Sequence, residues 1–73
     1  MRKMERLRKR TIRRINAEYD GGDITFEMYT AVRLAMRALR EERQMDRELL
    51  GIELTVHEYR KRLEYYIAME VAK

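Results

Sequence analysis

"DGGDITFEMY", residues 20–29, combines the signal that ends one helix with the signal that starts another. Gly21 and Gly22 suit the left-handed backbone conformation in which helices commonly end. Thr25 follows and can cap a new helix by accepting a hydrogen bond from a free backbone N–H group. The stretch therefore predicts a tight turn between two helices.

"GIELTVHEY", residues 51–59, repeats this arrangement further along the chain. Gly51 is the expected helix end and Thr55 the expected cap, and Glu58 can complete a capping box with Thr55. In both stretches the aliphatic residue before the threonine is expected to pack on the tyrosine that follows the threonine. The two expected pairs are Ile24 with Tyr29 and Leu54 with Tyr59.

These breaks divide the chain into three helices, predicted at about residues 2–19, 25–49 and 56–72, in a single small domain spanning residues 1–73. No segment has the strict two-residue alternation of a strand. We therefore predict an all-α fold, a three-helix hairpin or bundle with a long central helix. One alternative breaks the central helix near "REERQ", residues 40–44, where charges interrupt its apolar side.

The size and composition of the chain favour self-association. A domain of 73 residues has a small core and is marginally stable alone. The sequence has no cysteine and one histidine, so neither a disulfide nor a multi-histidine metal site within the chain can reinforce it. We therefore expect homo-oligomerisation to complete the core, with no metal and no cofactor.

The composition also argues against several functional classes. Serine and cysteine, the commonest catalytic nucleophiles, are both absent. No carboxylate pair lies in an apolar setting that would tune a catalytic pKa, so neither an enzyme nor a small-molecule substrate is expected. The chain has no long apolar run and no signal peptide, which predicts a cytoplasmic protein with no membrane partner.

The first helix is basic on one side and apolar on the other. Residues 1–19 hold eight basic and two acidic side chains, a net charge of +6, whereas the whole chain carries +4. Arg8 falls on the apolar side, where its stem is expected to pack while its head reaches water. The candidate residues for binding nucleic acid or an acidic partner are Arg2, Arg6, Lys9, Arg10, Arg13 and Arg14.

Three interpretations of this basic face are open. In the first, it binds nucleic-acid phosphates without reading base sequence. In the second, it docks on an acidic patch of a larger protein or nucleoprotein complex, as an inhibitor or adaptor of the kind that viruses and mobile elements encode. In the third, it is a solvated face without a partner. The first is our leading hypothesis for a non-enzymatic binding protein.

A second line of arginines lies on the central helix, at positions 33, 37, 40 and 47. We expect Arg37 to pair with Glu41 and Arg43 with Asp46, at helical spacing. If this flank lies beside the first helix, the two lines would form one broad positive surface. The apolar stripe of the second half of this helix is displaced and is expected to contact another neighbour; its members are Leu34, Ala38, Met45 and Leu49.

The third helix ends in "YYIAMEVA", residues 65–72, which is apolar on nearly every side. A helix that is apolar all round needs more than one neighbour, so this end is expected to contact another subunit or protein. Tyrosine suits such contacts because its ring is apolar and its hydroxyl polar. The candidate interface residues are Tyr65, Ile67, Met69 and Val71.

Overall fold

The computed structural model describes residues 3–73 and contains three α-helices, α1 (Lys3–Asp20), α2 (Phe26–Leu50) and α3 (Val56–Val71). Residues 3–73 contain no strand. The all-α fold with a long central helix is therefore confirmed. The end of α1 and both bounds of α2 and α3 each lie within one residue of the predicted bound, and α1 begins at the first described residue.

The turn between α1 and α2 is built by hydrogen bonds of a Schellman motif. The backbone N–H of Asp23 donates to the carbonyl of Glu18 at 2.8 Å, and that of Gly22 donates to Tyr19 at 3.1 Å. Gly22 has a φ of 78°, which a residue without a Cβ atom adopts at little cost. The glycine pair therefore ends α1 as predicted.

Both predicted threonine caps are confirmed. The hydroxyl oxygen of Thr25 accepts from the N–H of Met28 at 3.1 Å, and that of Thr55 accepts from the N–H of Glu58 at 3.1 Å. The Glu58 carboxylate in turn accepts from the N–H of Thr55 at 3.0 Å, which closes the capping box. These caps satisfy N–H groups that have no partner within their helix.

α2 is one continuous helix, so the alternative with a break at residues 40–44 is wrong. It ends at Gly51, whose φ is 65° and whose N–H donates to the carbonyl of Arg47 at 3.2 Å. Two of the charges that interrupt the apolar side of α2, Glu42 and Arg43, have partners outside this helix. Arg62 on α3 donates to Glu42 at 2.9 Å.

The expected pair between Arg43 and Asp46 is not the one observed. Arg43 instead lies 2.7 Å from one oxygen of Glu53, and Arg47 lies 3.0 Å from the other oxygen. Glu53 belongs to the segment between α2 and α3, so this carboxylate joins the end of α2 to the chain that leaves it. Arg43 pairs with Glu53 and not with Asp46 because the Glu53 carboxylate joins two arginines at once.

The core consists of two small clusters. The first contains Met4, Leu39, Leu54 and Tyr59, one or more from each helix and from the segment before α3. The second is built from Ile15, Val32 and Met36, with half-buried residues around it. The expected pairs Leu54–Tyr59 and Ile24–Tyr29 each lie within one of these clusters.

The molecule is flat, with extents of 40 × 30 × 17 Å, so several apolar side chains remain at its surface. On α2, the exposed fractions are 43% for Leu34, 58% for Met45 and 74% for Leu49. Three members of the displaced stripe are therefore largely exposed to solvent, and Ala38 is half-buried. Tyr19, near the end of α1, is 40% exposed and stacks on Tyr29 with ring centroids 4.8 Å apart.

Candidate nucleic-acid interface

Of the six exposed basic side chains of α1, four lie together on its outward face: Arg6, Lys9, Arg10 and Arg13. They line one shallow depression of about 360 Å³. Their spacing along the sequence places them on one side of the helix, opposite the buried Met4, Thr11 and Ile15. We call these four residues the α1 basic face. Arg2, also predicted for this site, lies outside the described residues.

The α1 basic face has no carboxylate partner within residues 3–73. The one ion pair made by an α1 cation there joins Arg14 to Glu18 at 3.9 Å, and both side chains are well exposed. No carboxylate of the described chain lies within 4.0 Å of the four residues of the face. Their positive charges therefore add to one another, and the face attracts anions.

A second basic surface lies between α1 and α2. Arg8 of α1 and Arg33, Arg37 and Arg40 of α2 line a cleft of about 370 Å³. The α2 line of arginines therefore borders α1 at Arg8 and Ile12, and the four residues of the α1 basic face line a separate depression. Arg37 also lies 3.8 Å from Glu41, the pair that the spacing predicts. We call this site the arginine cleft.

Arg8 is less exposed than its position in the sequence suggests. Its Nε atom is buried and has no hydrogen-bond partner, so the base of the guanidinium group is enclosed together with the stem. Its charge lies close enough to Tyr59 to oppose the effect of burial, which raises the pKa of the Tyr59 hydroxyl. Sequence patterning places Arg8 on the apolar side but cannot show that α2 and Tyr59 enclose it.

Tyr59 is the most buried polar residue near these surfaces. Its ring is 1% exposed, its hydroxyl has no partner within the described chain, and the Arg43 guanidinium lies 5.7 Å from the ring centroid. Burial raises the pKa of this hydroxyl, so it stays protonated at neutral pH. Tyr59 therefore acts in the core as a packed ring with an unused polar end.

The groove between α1 and α3 has a different character. It measures about 440 Å³, and a carboxylate, Glu64, lines it together with Arg10, Arg14 and Arg60. Its other lining residues are mostly apolar: Leu7, Thr11, Tyr59, Leu63 and Ile67. Mixed charge makes this groove less attractive to an anion than the arginine cleft.

The four predicted interface residues of α3 do not form one surface. Ile67 is half-buried and packs against the core cluster of Ile15, Val32 and Met36. Tyr65 and Met69 are 64% and 44% exposed. Val71 is 55% exposed and lies in a groove of about 610 Å³ beside the start of α2. Sequence patterning could not separate them because their neighbours come from another helix.

Val71 shares its groove with apolar residues that the sequence pattern does not single out for an interface. The groove is lined from α2 by Phe26, Met28, Ala31 and Leu34, and from the end of the chain by Glu70 and Lys73. Phe26 is 54% exposed. The sequence signal for this groove is Phe26, a large apolar residue directly after the Thr25 cap. A side chain at this position in the first turn of a helix is rarely buried fully. We call this the Phe26 groove.

Other kinds of site find no support among residues 3–73. No three histidine, cysteine, aspartate or glutamate side chains of this range come together to hold a metal ion. No helix in the same range combines the length and the apolar character needed to cross a membrane. His57 is exposed in the first turn of α3.

Comparison with known proteins adds no family or function. The chain matches no protein-family model, no curated protein and no solved structure. A function for this chain therefore has to be inferred from the geometry of its described residues.

Proposed function

We propose that this protein is a non-enzymatic binding protein whose α1 basic face contacts nucleic-acid phosphates without reading base sequence. The observation that supports this most is the absence of carboxylate partners around Arg6, Lys9, Arg10 and Arg13 in the described chain. A set of cations that the fold leaves without counter-charges gains most from an external polyanion, because binding releases the counterions of the phosphates.

The dimensions of the face suit a phosphate strand. Arg6 and Arg13 are separated by about 10 Å along the helix axis, at 1.5 Å per residue. Consecutive phosphates of one strand of a duplex advance about 3.4 Å along its axis, so the face spans roughly three of them. Four cations over such a span can neutralise about three or four phosphates.

The amide side chains that commonly read bases are occupied elsewhere. Asn16 accepts a hydrogen bond from the Tyr29 hydroxyl at 2.8 Å, and Gln44 donates to Glu48 at 3.2 Å. The α1 basic face itself contains only arginine and lysine. Lysine and arginine contacts to phosphate set position and affinity, whereas sequence is read by contacts to base edges. This supports binding that is independent of sequence.

The test is a titration of duplex DNA and duplex RNA at two salt concentrations. With about four phosphates neutralised, the logarithm of the binding constant falls with a slope near −3.6 against the logarithm of salt. Affinity is therefore expected to drop roughly a hundredfold between about 50 and 200 mM salt. Affinity that is absent at both concentrations, or equal at both, contradicts the proposal.

A charge-matched pair of variants locates the binding surface. The combination Arg6→Gln, Arg10→Gln and Arg13→Gln removes three charges from the α1 basic face, and we expect it to abolish most of the salt-dependent affinity. The control removes three charges from α3 and the chain end, through Arg60→Gln, Lys61→Gln and Lys73→Gln. If both triple variants lose the same affinity, net charge rather than the α1 basic face carries the binding.

The alternative function is docking on an acidic protein, which uses the same cations. Arginine binds carboxylates as well as phosphates through its planar fork, so the two functions differ in the preferred anion. Competition with poly-glutamate of matched total charge separates them. At equal charge concentration, we expect duplex nucleic acid to bind more tightly than poly-glutamate. Equal competition by the two polyanions would favour the acidic-protein alternative.

We propose further that two copies associate through the Phe26 groove and so complete the small core. The chain exposes 5705 Å². A compact monomer of 9.0 kDa is expected to expose about 4,850 Å². The excess, about 850 Å², belongs to the whole flat chain, and it is on the scale of the roughly 800 Å² that each partner buries in a standard interface. Association with a second copy would remove surface on this scale, which is the reason for choosing that occupant.

Light scattering of the purified protein tests self-association. We expect a mass of twice 9.0 kDa at micromolar concentration. Phe26→Glu places a charge in the groove at a helix start that tolerates acidic residues, and it should give a folded monomer. Leu49→Lys is the control, since Leu49 is 74% exposed and does not line the groove. A wild-type mass of 9.0 kDa, or equal effects of the two substitutions, contradicts the proposal.

A further inference from the structure

We infer that the arginine cleft between α1 and α2 is a second anion site, which takes a phosphate-rich ligand independently of the α1 basic face. The ligand chemistry is that of linked phosphate groups, either a free polyphosphate or a stretch of nucleic-acid backbone. The free-polyphosphate case goes beyond the proposed function, and the nucleic-acid case rests on it.

Cations from two helices converge on this cleft. Arg33, Arg37 and Arg40 follow one flank of α2 at helical spacing, and Arg8 faces them from α1. A cleft of about 370 Å³ with arginines on both sides can hold an anion between guanidinium groups, instead of on an open surface. Arginine offers several N–H donors in a planar fork, which suits the oxygens of phosphate.

The protein supplies little negative charge to balance this cleft. The carboxylate nearest to a cleft arginine is Glu41, 3.8 Å from Arg37, in a pair whose side chains are 78% and 70% exposed. Water screens such an exposed pair strongly, so it offsets little of the positive potential. Arg33 meets a neutral partner instead, the Tyr29 hydroxyl at 3.4 Å. Repulsion among these cations therefore persists until an external anion enters.

Arg8 provides a second, independent indication. Its Nε atom is buried and has no acceptor within the described chain, although a buried charged donor is costly to leave without a partner. The charged and polar groups around Tyr59 and Arg8 are the Arg43 guanidinium, a cation, and the Tyr59 hydroxyl, a neutral group that can accept a hydrogen bond. No negative charge is among them, and negative charge is the feature that an anion supplies.

Charge and surface favour phosphate over carboxylate as the ligand. The four arginines carry more positive charge than the single negative charge of a carboxylate can balance. Linked phosphates carry one or more negative charges on each phosphate group. The floor of the cleft is apolar, with Ile12, Leu34 and Met36 among its lining residues. An apolar floor lowers the local dielectric and strengthens the attraction between the guanidinium groups and a bound anion.

The first experiment uses inorganic tripolyphosphate as the probe, with calorimetric titration and thermal unfolding. Sodium acetate at the same ionic strength is the control for screening. A ligand that binds the folded state raises the melting temperature by mass action, so tripolyphosphate should raise it and acetate should not. No binding of tripolyphosphate to the wild-type protein, or equal shifts with both salts, overturns the inference.

Variants then place the probe in the cleft. We expect Arg33→Gln with Arg40→Gln to weaken tripolyphosphate binding by roughly tenfold or more. Arg6→Gln with Arg13→Gln removes two charges from the α1 basic face. The affinity for tripolyphosphate should then stay within about twofold of the wild-type value. Both pairs lie at exposed positions, so the fold is retained, and far-ultraviolet circular dichroism checks this. Equal losses in the two double variants overturn the inference.

Titration of duplex DNA with the same two double variants separates the sources of phosphate. If the backbone enters the cleft, Arg33→Gln with Arg40→Gln reduces the salt slope by about two. A second outcome is that duplex binding depends on Arg6 and Arg13, and that Arg33→Gln with Arg40→Gln changes neither tripolyphosphate binding nor duplex binding. The proposed function then stands and this inference fails. If tripolyphosphate needs the cleft but no duplex binds, this inference stands for a free polyphosphate and the proposed function fails.

Discussion

Arginine occurs along the whole chain, but its surroundings differ between the α2–α3 contact and the outward side of α1. Where α2 meets α3 and the segment before it, Arg62 pairs with Glu42, and Arg43 and Arg47 share Glu53. On the α1 basic face, no carboxylate oxygen of the described chain lies within 4.0 Å of a side-chain nitrogen of the four cations. An arginine with a carboxylate from another element stabilises the fold, whereas one without it stays available to an external anion.

The largest effect on stability is expected where the three helices share a core. Leu39 is fully buried in contact with a cluster that contains Met4, Leu54 and Tyr59. Leu39→Ala should lower the free energy of unfolding by about 2–5 kcal/mol, because it removes buried methyl groups and leaves a cavity. Leu49→Ala, at a 74% exposed position, should change it by less than about 0.5 kcal/mol. Urea unfolding measures both, and similar losses would contradict the described core.

The next-largest effect on stability is expected at the ion pairs that Arg43 and Arg47 make with Glu53. Glu53→Gln keeps the shape of the side chain but removes the charge that joins Arg43 and Arg47. We expect a loss of about 1 kcal/mol, less than for a fully buried pair because water reaches Glu53. Glu41→Gln is the matched control, since its longer, exposed pair with Arg37 is worth only a few tenths of a kcal/mol. A loss at Glu41 as large as at Glu53 would remove the distinction between local and tertiary pairs.

Acid titration sharpens the same comparison. The hydrogen bond from Arg43 is the main cause that holds the pKa of Glu53 below its usual value of 4.5. A lowered pKa in the folded state means that this stabilisation is fully present above pH 4.5 and is lost as the pH falls through the lowered value. Unfolding followed from pH 7 to pH 3 should therefore show a smaller decline for Glu53→Gln than for the wild-type protein. Parallel curves for the two proteins would contradict the assignment.

A comparable effect is expected at the helix starts. Thr55→Ala removes the cap of α3 and breaks the capping box with Glu58, so the free energy of unfolding should fall by about 1 kcal/mol. Thr25→Ala removes a cap without a reciprocal bond and should cost no more than that. Thr55→Ser keeps the hydroxyl and is the control. If Thr55→Ser and Thr55→Ala are equally destabilising, the hydroxyl does not cap α3.

The smallest effect is expected on the α1 basic face. Arg6→Gln, Arg10→Gln and Arg13→Gln together remove three mutually repelling charges that have no partner in the described chain. The free energy of unfolding should therefore change by less than about 0.5 kcal/mol, or rise slightly. The measurement is urea unfolding at low salt, where charge repulsion is strongest. A large loss would mean that these arginines serve the fold, as the arginines of the α2–α3 contact do.

The local features of the fold could be predicted from the sequence because short-range physics sets them. Thr25 and Thr55 cap helices through bonds to residues three positions away, and Gly22 and Gly51 end helices through their own backbone freedom. Each of these features needs only a few neighbouring residues. The end of α1 and both bounds of α2 and α3 depend on the same signals, which is why they lie within one residue of the predicted ones.

The contacts between distant segments could not be predicted in this way. Arg43 was expected to pair with Asp46 at helical spacing, yet it reaches Glu53 because the chain turns back after Gly51. The enclosure of Arg8 depends on how closely α1 approaches α2 and Tyr59. The α1 basic face could be identified in advance, since its four residues belong to one helix, whereas the arginine cleft and the Phe26 groove each need two segments.

The preference for arginine at the two proposed anion surfaces has a consequence for control. Seven of their eight basic residues are arginines, and Lys9 is the exception. A guanidinium group keeps its proton throughout the physiological range, and it is not a substrate for lysine acetylation. The positive charge of these surfaces should consequently be insensitive to changes in acidity between about pH 5 and 9. Competing anions and ionic strength are then the means by which such surfaces would be released.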